Sequence, residues 1–172
     1  MASKQLPVDK MMGETLPKHF VASAYIVRDD RVLLVHHRKI QLWLPPGGHV
    51  EEFEDPVSAV HREVKEETGL EVSLFSAEDY REGSNDTVRV LPLPHHLQVE
   101  RIAEGPHHHI DLVYFCKALP GDAVKNAEST DLRWFSRADL TDPTLDSNVR
   151  YFATLALDTL SKNGATPRPA HQ

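Results

Sequence analysis

The stretch Gly48–Leu70, GHVEEFEDPVSAVHREVKEETGL, decides how the rest of the chain is read. Its helical part runs from Asp55 to Thr68. Asp55 suits an N-cap, whose side-chain oxygen accepts hydrogen bonds from the first free amides. Pro56 stands at the first helical position, where its missing N–H costs nothing. Ser58–Glu67 holds no breaker, and Gly69 follows as the C-terminal stop. On a helical wheel of about 100° per residue, Val57, Val60, Val64 and Thr68 form one narrow face, the expected buried stripe. Glu63, Glu66 and Glu67 fill a neighbouring arc. Ala59 lies inside that arc, small enough to leave space above it. Arg62 and Lys65 point elsewhere, so the acidic arc is expected to hold no cation from the helix itself. Like charges at i,i+3 and i,i+4 cost roughly 0.2–0.5 kcal/mol per pair. A hard divalent cation, which prefers clustered carboxylate oxygens, offsets that cost. On the triplet alone, a solvated acidic face is the more ordinary explanation.

The surrounding spacing is more particular. Five residues separate Gly48 from Glu54, and seven separate Glu54 from Arg62. Arg62-Glu63-Val64-Lys65-Glu66-Glu67-Thr68-Gly69-Leu70 then follows. The stretch resembles the Nudix box, GX5EX7REUXEEXGU with U an aliphatic residue, at every specified position. The resemblance is firm over Leu44–Leu70 and extends, by strand order, over about Phe20–Leu160. It implies an α/β fold, an α/β/α sandwich around a central mixed sheet, with the box forming loop–helix–loop. It also implies a divalent metal, usually Mg2+ and alternatively Mn2+. The activity implied is hydrolysis of the diphosphate linkage of a nucleoside diphosphate joined to another group. Carried over by position, Glu63, Glu66 and Glu67 are the expected catalytic metal ligands, with the backbone carbonyl of Gly48 as another. Glu54 and Arg62 are expected to pair and tie the loop to the helix. Arg62 and His49 are also the box residues expected nearest the substrate.

Composition sets the outer limits. The chain has 172 residues, 40% hydrophobic and 26% charged, which is ordinary for one globular domain. Its net charge of −7, without a basic run, argues against binding long nucleic acid through phosphates. The expected partner is a small nucleoside-diphosphate-type substrate, and a homodimer is allowed. Cys116 is the single cysteine, so one chain makes neither a disulfide nor a cysteine-based zinc site. The first residues lack an apolar run of signal-peptide length, and no segment approaches the ~20 apolar residues of a membrane span. A cytoplasmic protein is the expectation.

Taken in order, residues 1–18 read as a polar arm with one helical turn near Lys10–Glu14. The domain follows over 19–161, and 162–172 reads as a loose tail. Phe20–Val27 and Arg31–His36 make a hairpin around Arg28-Asp29-Asp30. Gly47-Gly48 is expected to allow a tight turn. After the helix come strands at Glu71–Ser76, Val88–Leu91, Leu97–Ile102, His108–Ala118 and Leu132–Phe135. A turn falls at Glu104-Gly105-Pro106, and a turn or short helix at Ser136–Leu140. Ser147–Ser161 spaces its apolar residues as an amphipathic helix.

Outside the box the site is softer. Glu128 precedes the LRWF strand, where some Nudix enzymes carry a further glutamate as ligand or base. Its loop, Pro120–Thr130, has Gly121 for a hinge and little apolar content to pin it. Glu100 and Glu104 are weaker candidates. The groups His36-His37, His95-His96 and His107-His108-His109 lack zinc-site spacing and read mainly as surface histidines at strand edges. Trp43 and Phe53 suit either a pocket wall or the core. The proline of the family's ADP-ribose hydrolases, the tyrosine of its dinucleoside polyphosphate hydrolases and its coenzyme A pattern are all missing from their usual places. Two other functions compete. A non-catalytic Nudix regulator commonly loses box glutamates, and this chain keeps them all. Isopentenyl-diphosphate isomerase needs a reactive cysteine, and Cys116 falls mid-strand.

Overall fold

The structure is a computed structural model that describes residues 16–76, 83–102 and 107–162. The expected turns at 10–14 and 104–106 and the tail at 163–172 lie outside those residues. Among the described residues, eight strands form one sheet. They are β1 (Lys18–Arg28), β2 (Arg31–His37), β3 (Trp43–Leu44), β4 (Gly47–His49), β5 (Val72–Leu74), β6 (His96–Arg101), β7 (His108–Ala118) and β8 (Ser129–Phe135). The helices are α1 (Pro56–Thr68) and α2 (Ser147–Lys162), with a 3-10 turn at Asp139–Thr141.

The centre of the sheet is the long parallel pair β1–β7, from Lys18↔His108 to Val27↔Lys117. Lys18, placed in the arm by sequence, is therefore already in the ladder. β1 and β2 pair only near their hairpin, at Ile26↔Leu33 to Arg28↔Arg31. Asp29 and Asp30 take the left-handed backbone that a tight hairpin turn demands. Beyond it the two strands part. β3 takes over the freed edge of β2 at Val35↔Leu44, and β4 takes over that of β1 at Ala22↔Gly48. This split in the sheet is where the cleft opens.

Alternating residues of β1 and β7 supply two cores. Tyr25, Val27, Val113 and Phe115 pack with Phe152, Ala156 and Leu160 of α2 on one face. Ala22, Ala24, Ile26, Tyr114 and Cys116 pack with Val60 and Val64 of α1 on the other. Helices on both faces of a mixed sheet make the expected α/β/α sandwich. No helix among the described residues is long and apolar enough to cross a membrane.

Several local expectations change. Residues 88–91 form no strand. There the Asn85 side chain accepts from the Thr87 and Val88 amides, which directs the chain into a turn. Ala59 is fully buried against the sheet rather than open above the acidic arc. Gly47-Gly48 lies in a strand, not a turn. A Cβ at Gly47 would stand 2.5 Å from the Ala22 carbonyl oxygen, and one at Gly48 would overlap the Glu63 carboxylate. The glycines serve close approach, not a change of direction. Trp43 packs edge-on against Phe135, whereas Phe53 is 94% exposed and joins neither core nor cleft.

Candidate active site

The helix α1 carries its acids to the mouth of the split because both its ends are fixed. Asp55 accepts from the amides of Val57 and Ser58, at 2.9 and 3.0 Å. Arg89 pairs with the same carboxylate. Gly69 closes the helix in the left-handed conformation, with φ of 70°.

Arg62 overturns one expectation about the helix. It does not point away from the acids. Its Nη1 donates to Glu63 at 2.7 Å and approaches Glu66 at 3.5 Å. The guanidinium also grips Glu54 with two nitrogens, at 3.1 and 2.5 Å, and donates to the His49 carbonyl at 3.0 Å. The side chain is long enough to curl back over its own face, which a wheel drawn from Cα directions does not register. The Glu54–Arg62 pair is present, and through His49 it holds the loop against the helix. With these bonds made, the Arg62 proton is held more tightly than usual by Glu54, against the effect of burial.

Glu67 is the most confined of the three acids. It is 6% exposed, and one carboxylate oxygen accepts from the Gly47 amide at 3.1 Å. Burial pushes its pKa up to about 7. The Gly47 hydrogen bond opposes that rise, while the charges of Glu63, Glu128 and Glu66 add to it. Glu63 is raised as well, chiefly by desolvation and despite its bond to Arg62. Glu66 remains largely exposed.

A cleft of ≈ 460 Å³ opens beside these acids, bounded by Gly47, Gly48, His49, Glu63 and Glu67 on one side. Glu128 reaches the same cleft. Its loop is pinned rather than hinged: Arg28 donates to the carbonyls of Leu119 and Gly121, Val124 donates to Thr68, and Arg38 donates to Ala127 and Glu128. The opposite wall holds Gln98, Glu100 and Asp111. Asp111 is buried and accepts from Ser23 at 2.9 Å and Gln98 at 3.1 Å, with its pKa raised by desolvation. Burial and the nearby Asp111 charge push Glu100 to about 7. Asp111 escaped the sequence reading. The available signal was an acid between apolar Ile110 and Leu112, on the same alternation as the core residues Val113 and Phe115. Glu104 lies outside the described residues.

The donor set beside α1 fits a hard divalent cation. It is made of carboxylate oxygens, two of them raised in pKa by burial and crowding, and Glu63 is seated against a glycine.

The histidines depart furthest from expectation. His108 is 1% exposed, and neither ring nitrogen finds a hydrogen-bond partner among the described residues. His95 stacks on Phe115 with ring centroids 4.2 Å apart. His36 bonds the Thr130 hydroxyl at 2.6 Å, and His37 accepts from the amides of Lys39 and Ile40. His19, His49, His107 and His109 gather from separate parts of the sequence. Strand register, absent from local spacing, builds these environments.

Comparison with known proteins follows the same outline. The model of the NUDIX domain matches residues 17–155. A NUDIX-family hydrolase structure from Clostridium perfringens is 36% identical and superimposes with a TM-score of 0.76, over 84% of this chain and 99% of that one. A Streptomyces rubellomurinus protein named CMP-5'-(N-acetyl-N-hydroxy-3-aminopropyl)phosphonate hydrolase is 29% identical over 71% of this chain and 56% of its own length. A Lactococcus lactis protein named "Probable DHNTP pyrophosphohydrolase" is 33% identical over 66% of this chain and 60% of its own. The chain thus spans somewhat over half the length of these two relatives.

Proposed function

The chain belongs to the NUDIX domain family, and from that premise we propose that it is a metal-dependent pyrophosphohydrolase. Its substrate is a nucleoside diphosphate linked to a further group, and the bond broken is a phosphoric anhydride. One observation carries the reading. Glu67 is a buried carboxylate beside Glu63 and Glu128; burial first, and then those charges, hold its proton to about pH 7, so its ionised form calls for a compensating charge. A divalent cation supplies that charge. The names of the two relatives, a hydrolase of a CMP conjugate and a pyrophosphohydrolase, support the substrate class.

In this reading Glu63, Glu66, Glu67 and the Gly48 carbonyl would hold Mg2+ or Mn2+. When bound, the metal neutralises the diphosphate and makes a coordinated water a better nucleophile at neutral pH. Arg62 fixes Glu54, Glu63 and the His49 carbonyl relative to one another, so the loop keeps its distance from the helix. His49 lines the cleft next to Gly48 and meets the diphosphate. Glu128 stands across from the helix as the proton acceptor for the attacking water. Gln98, Glu100 and Asp111 offer donors and acceptors to the part of the substrate remote from the metal.

The test is hydrolysis of a panel of nucleoside diphosphate and triphosphate conjugates with Mg2+ or Mn2+, reading phosphate, pyrophosphate and nucleoside monophosphate release. Turnover that needs the metal and yields a cleaved anhydride is expected. Hydrolysis undiminished by exhaustive chelation removes the metal from the reading. Substrate binding without turnover in either metal replaces the enzyme with a ligand-binding regulator.

A further inference from the structure

We propose that His19, His49 and His107 form a second metal site, separate from the acidic helix and selective for a borderline transition ion such as Zn2+. The sheet brings the three together. In the parallel β1–β7 ladder His19 lies opposite His109, and in the antiparallel β1–β4 ladder Val21 lies opposite His49. Side chains two apart on a strand share a face, and cross-strand partners share it too. His19, Val21, His49 and His109 therefore stand on one face. His107, two residues before His109 and just ahead of β7, lies beside them. No pair among the three ligands is close enough in sequence to reveal the group.

The geometry suits a metal. One ring nitrogen of each of the three residues lies within 4.8 Å of the other two. His19 Nδ1 and His49 Nε2 are already 3.3 Å apart. Zinc–nitrogen bonds of about 2.0–2.1 Å at tetrahedral angles require nitrogens roughly 3.3–3.4 Å apart. His49 is steadied from behind by the Arg62 bond to its carbonyl. His107 stacks on His19 with centroids 4.6 Å apart. His109 sits within hydrogen-bond distance of His107, Nε2 to Nε2 at 3.1 Å, and supports its orientation.

The ligand chemistry distinguishes this site from the acidic one. Imidazole nitrogens suit Zn2+ and its neighbours, whereas Mg2+ demands oxygen. Each imidazole offers a ring-nitrogen lone pair to a cation. Three protein ligands leave a tetrahedral ion one position for water or an anionic group. His49 borders both the carboxylate cleft and this cluster, so the bound ion would stand at the cleft mouth.

Co2+ titration of untagged protein in excess Mg2+ tests the site independently of any catalytic activity. Excess Mg2+ occupies the carboxylates, and Co2+ reports its coordination in the visible spectrum. One equivalent should give the intense bands of four-coordinate Co2+, discharged by one equivalent of Zn2+. His19→Ala and His107→Ala should each weaken Co2+ binding by at least the roughly 10- to 100-fold that loss of a supporting residue costs, with the circular dichroism of the fold unchanged. Only the weak bands of six-coordinate Co2+, or intense bands that survive both substitutions, would overturn the proposal. Either result leaves the reading of the acidic helix standing, because that depends on Mg2+-supported turnover.

Discussion

Glu67→Gln in the metal-free protein tests the electrostatic reasoning most directly. The Glu67 carboxyl moves from an ordinary 4.5 to about 7 because it is buried near Glu63, Glu66 and Glu128, with only the Gly47 amide opposing. At about 1.36 kcal/mol per unit, ionising it in the folded state costs about 3 kcal/mol relative to the unfolded chain. The folded state binds the proton more tightly, so stability falls as pH rises from about 4.5 to 7 and is level above that. Glutamine keeps an oxygen for the Gly47 amide and removes the charge. In chelator at pH 8 the variant should be more stable by about 3 kcal/mol, a rise in urea midpoint of roughly 1–3 M at typical slopes of ~1–3 kcal/mol/M. At pH 5 the difference should shrink below about 1 kcal/mol. Saturating Mg2+ should stabilise the wild type and do much less for the variant, since binding only to the folded state raises its stability. Equal pH slopes for the two proteins in chelator, or equal stabilisation by Mg2+, would refute the account.

Arg62→Ala should lower kcat/KM by roughly 10- to 100-fold while Mg2+ still binds, because the arginine positions Glu54, Glu63 and the His49 carbonyl; isothermal titration showing no Mg2+ binding to a folded variant would assign it a larger role. Glu66→Gln should reduce hydrolysis by roughly 100-fold or more yet leave urea stability in chelator within about 0.5 kcal/mol, because the side chain is largely exposed; normal turnover at limiting Mg2+ would count against it as a ligand. Glu128→Gln should cut kcat by roughly 100- to 10,000-fold with little change in KM if it takes the proton from water; a kcat within a few-fold of wild type at saturating metal would return the search to Glu100 and Asp111.

How much of this was legible in sequence depends on the range of the interaction involved. The helix at 56–68, its Asp55 cap and its Gly69 stop are set by neighbours within four residues, and the sequence carries them openly. β7 was legible at both ends, because its apolar stretch lies between the histidines at its start and Pro120-Gly121 beyond its end. The Arg62–Glu54 pair was recoverable only through the family spacing, since seven residues lie between the two. The departures share one cause. A helical wheel puts Ala59 in the acidic arc because it shows angles but not the sheet beneath them. It points Arg62 outward because the direction of Cα is not the direction of the charge at the end of a long side chain. Gly47-Gly48 suggests a turn because the β4 ladder and the Glu63 carboxylate that crowd it are remote in sequence. The histidines make the same point at longer range: His19 and His49 stand alone in the sequence, and the run that holds His107 lacks metal-site spacing by itself. Only the registers of β1 with β4 and of β1 with β7 make them one group. Register between non-adjacent strands fixes a chemical neighbourhood as firmly as a motif does, but it leaves no local periodicity to read. The acidic half of this cleft was therefore visible from a motif, whereas its imidazole rim required the sheet.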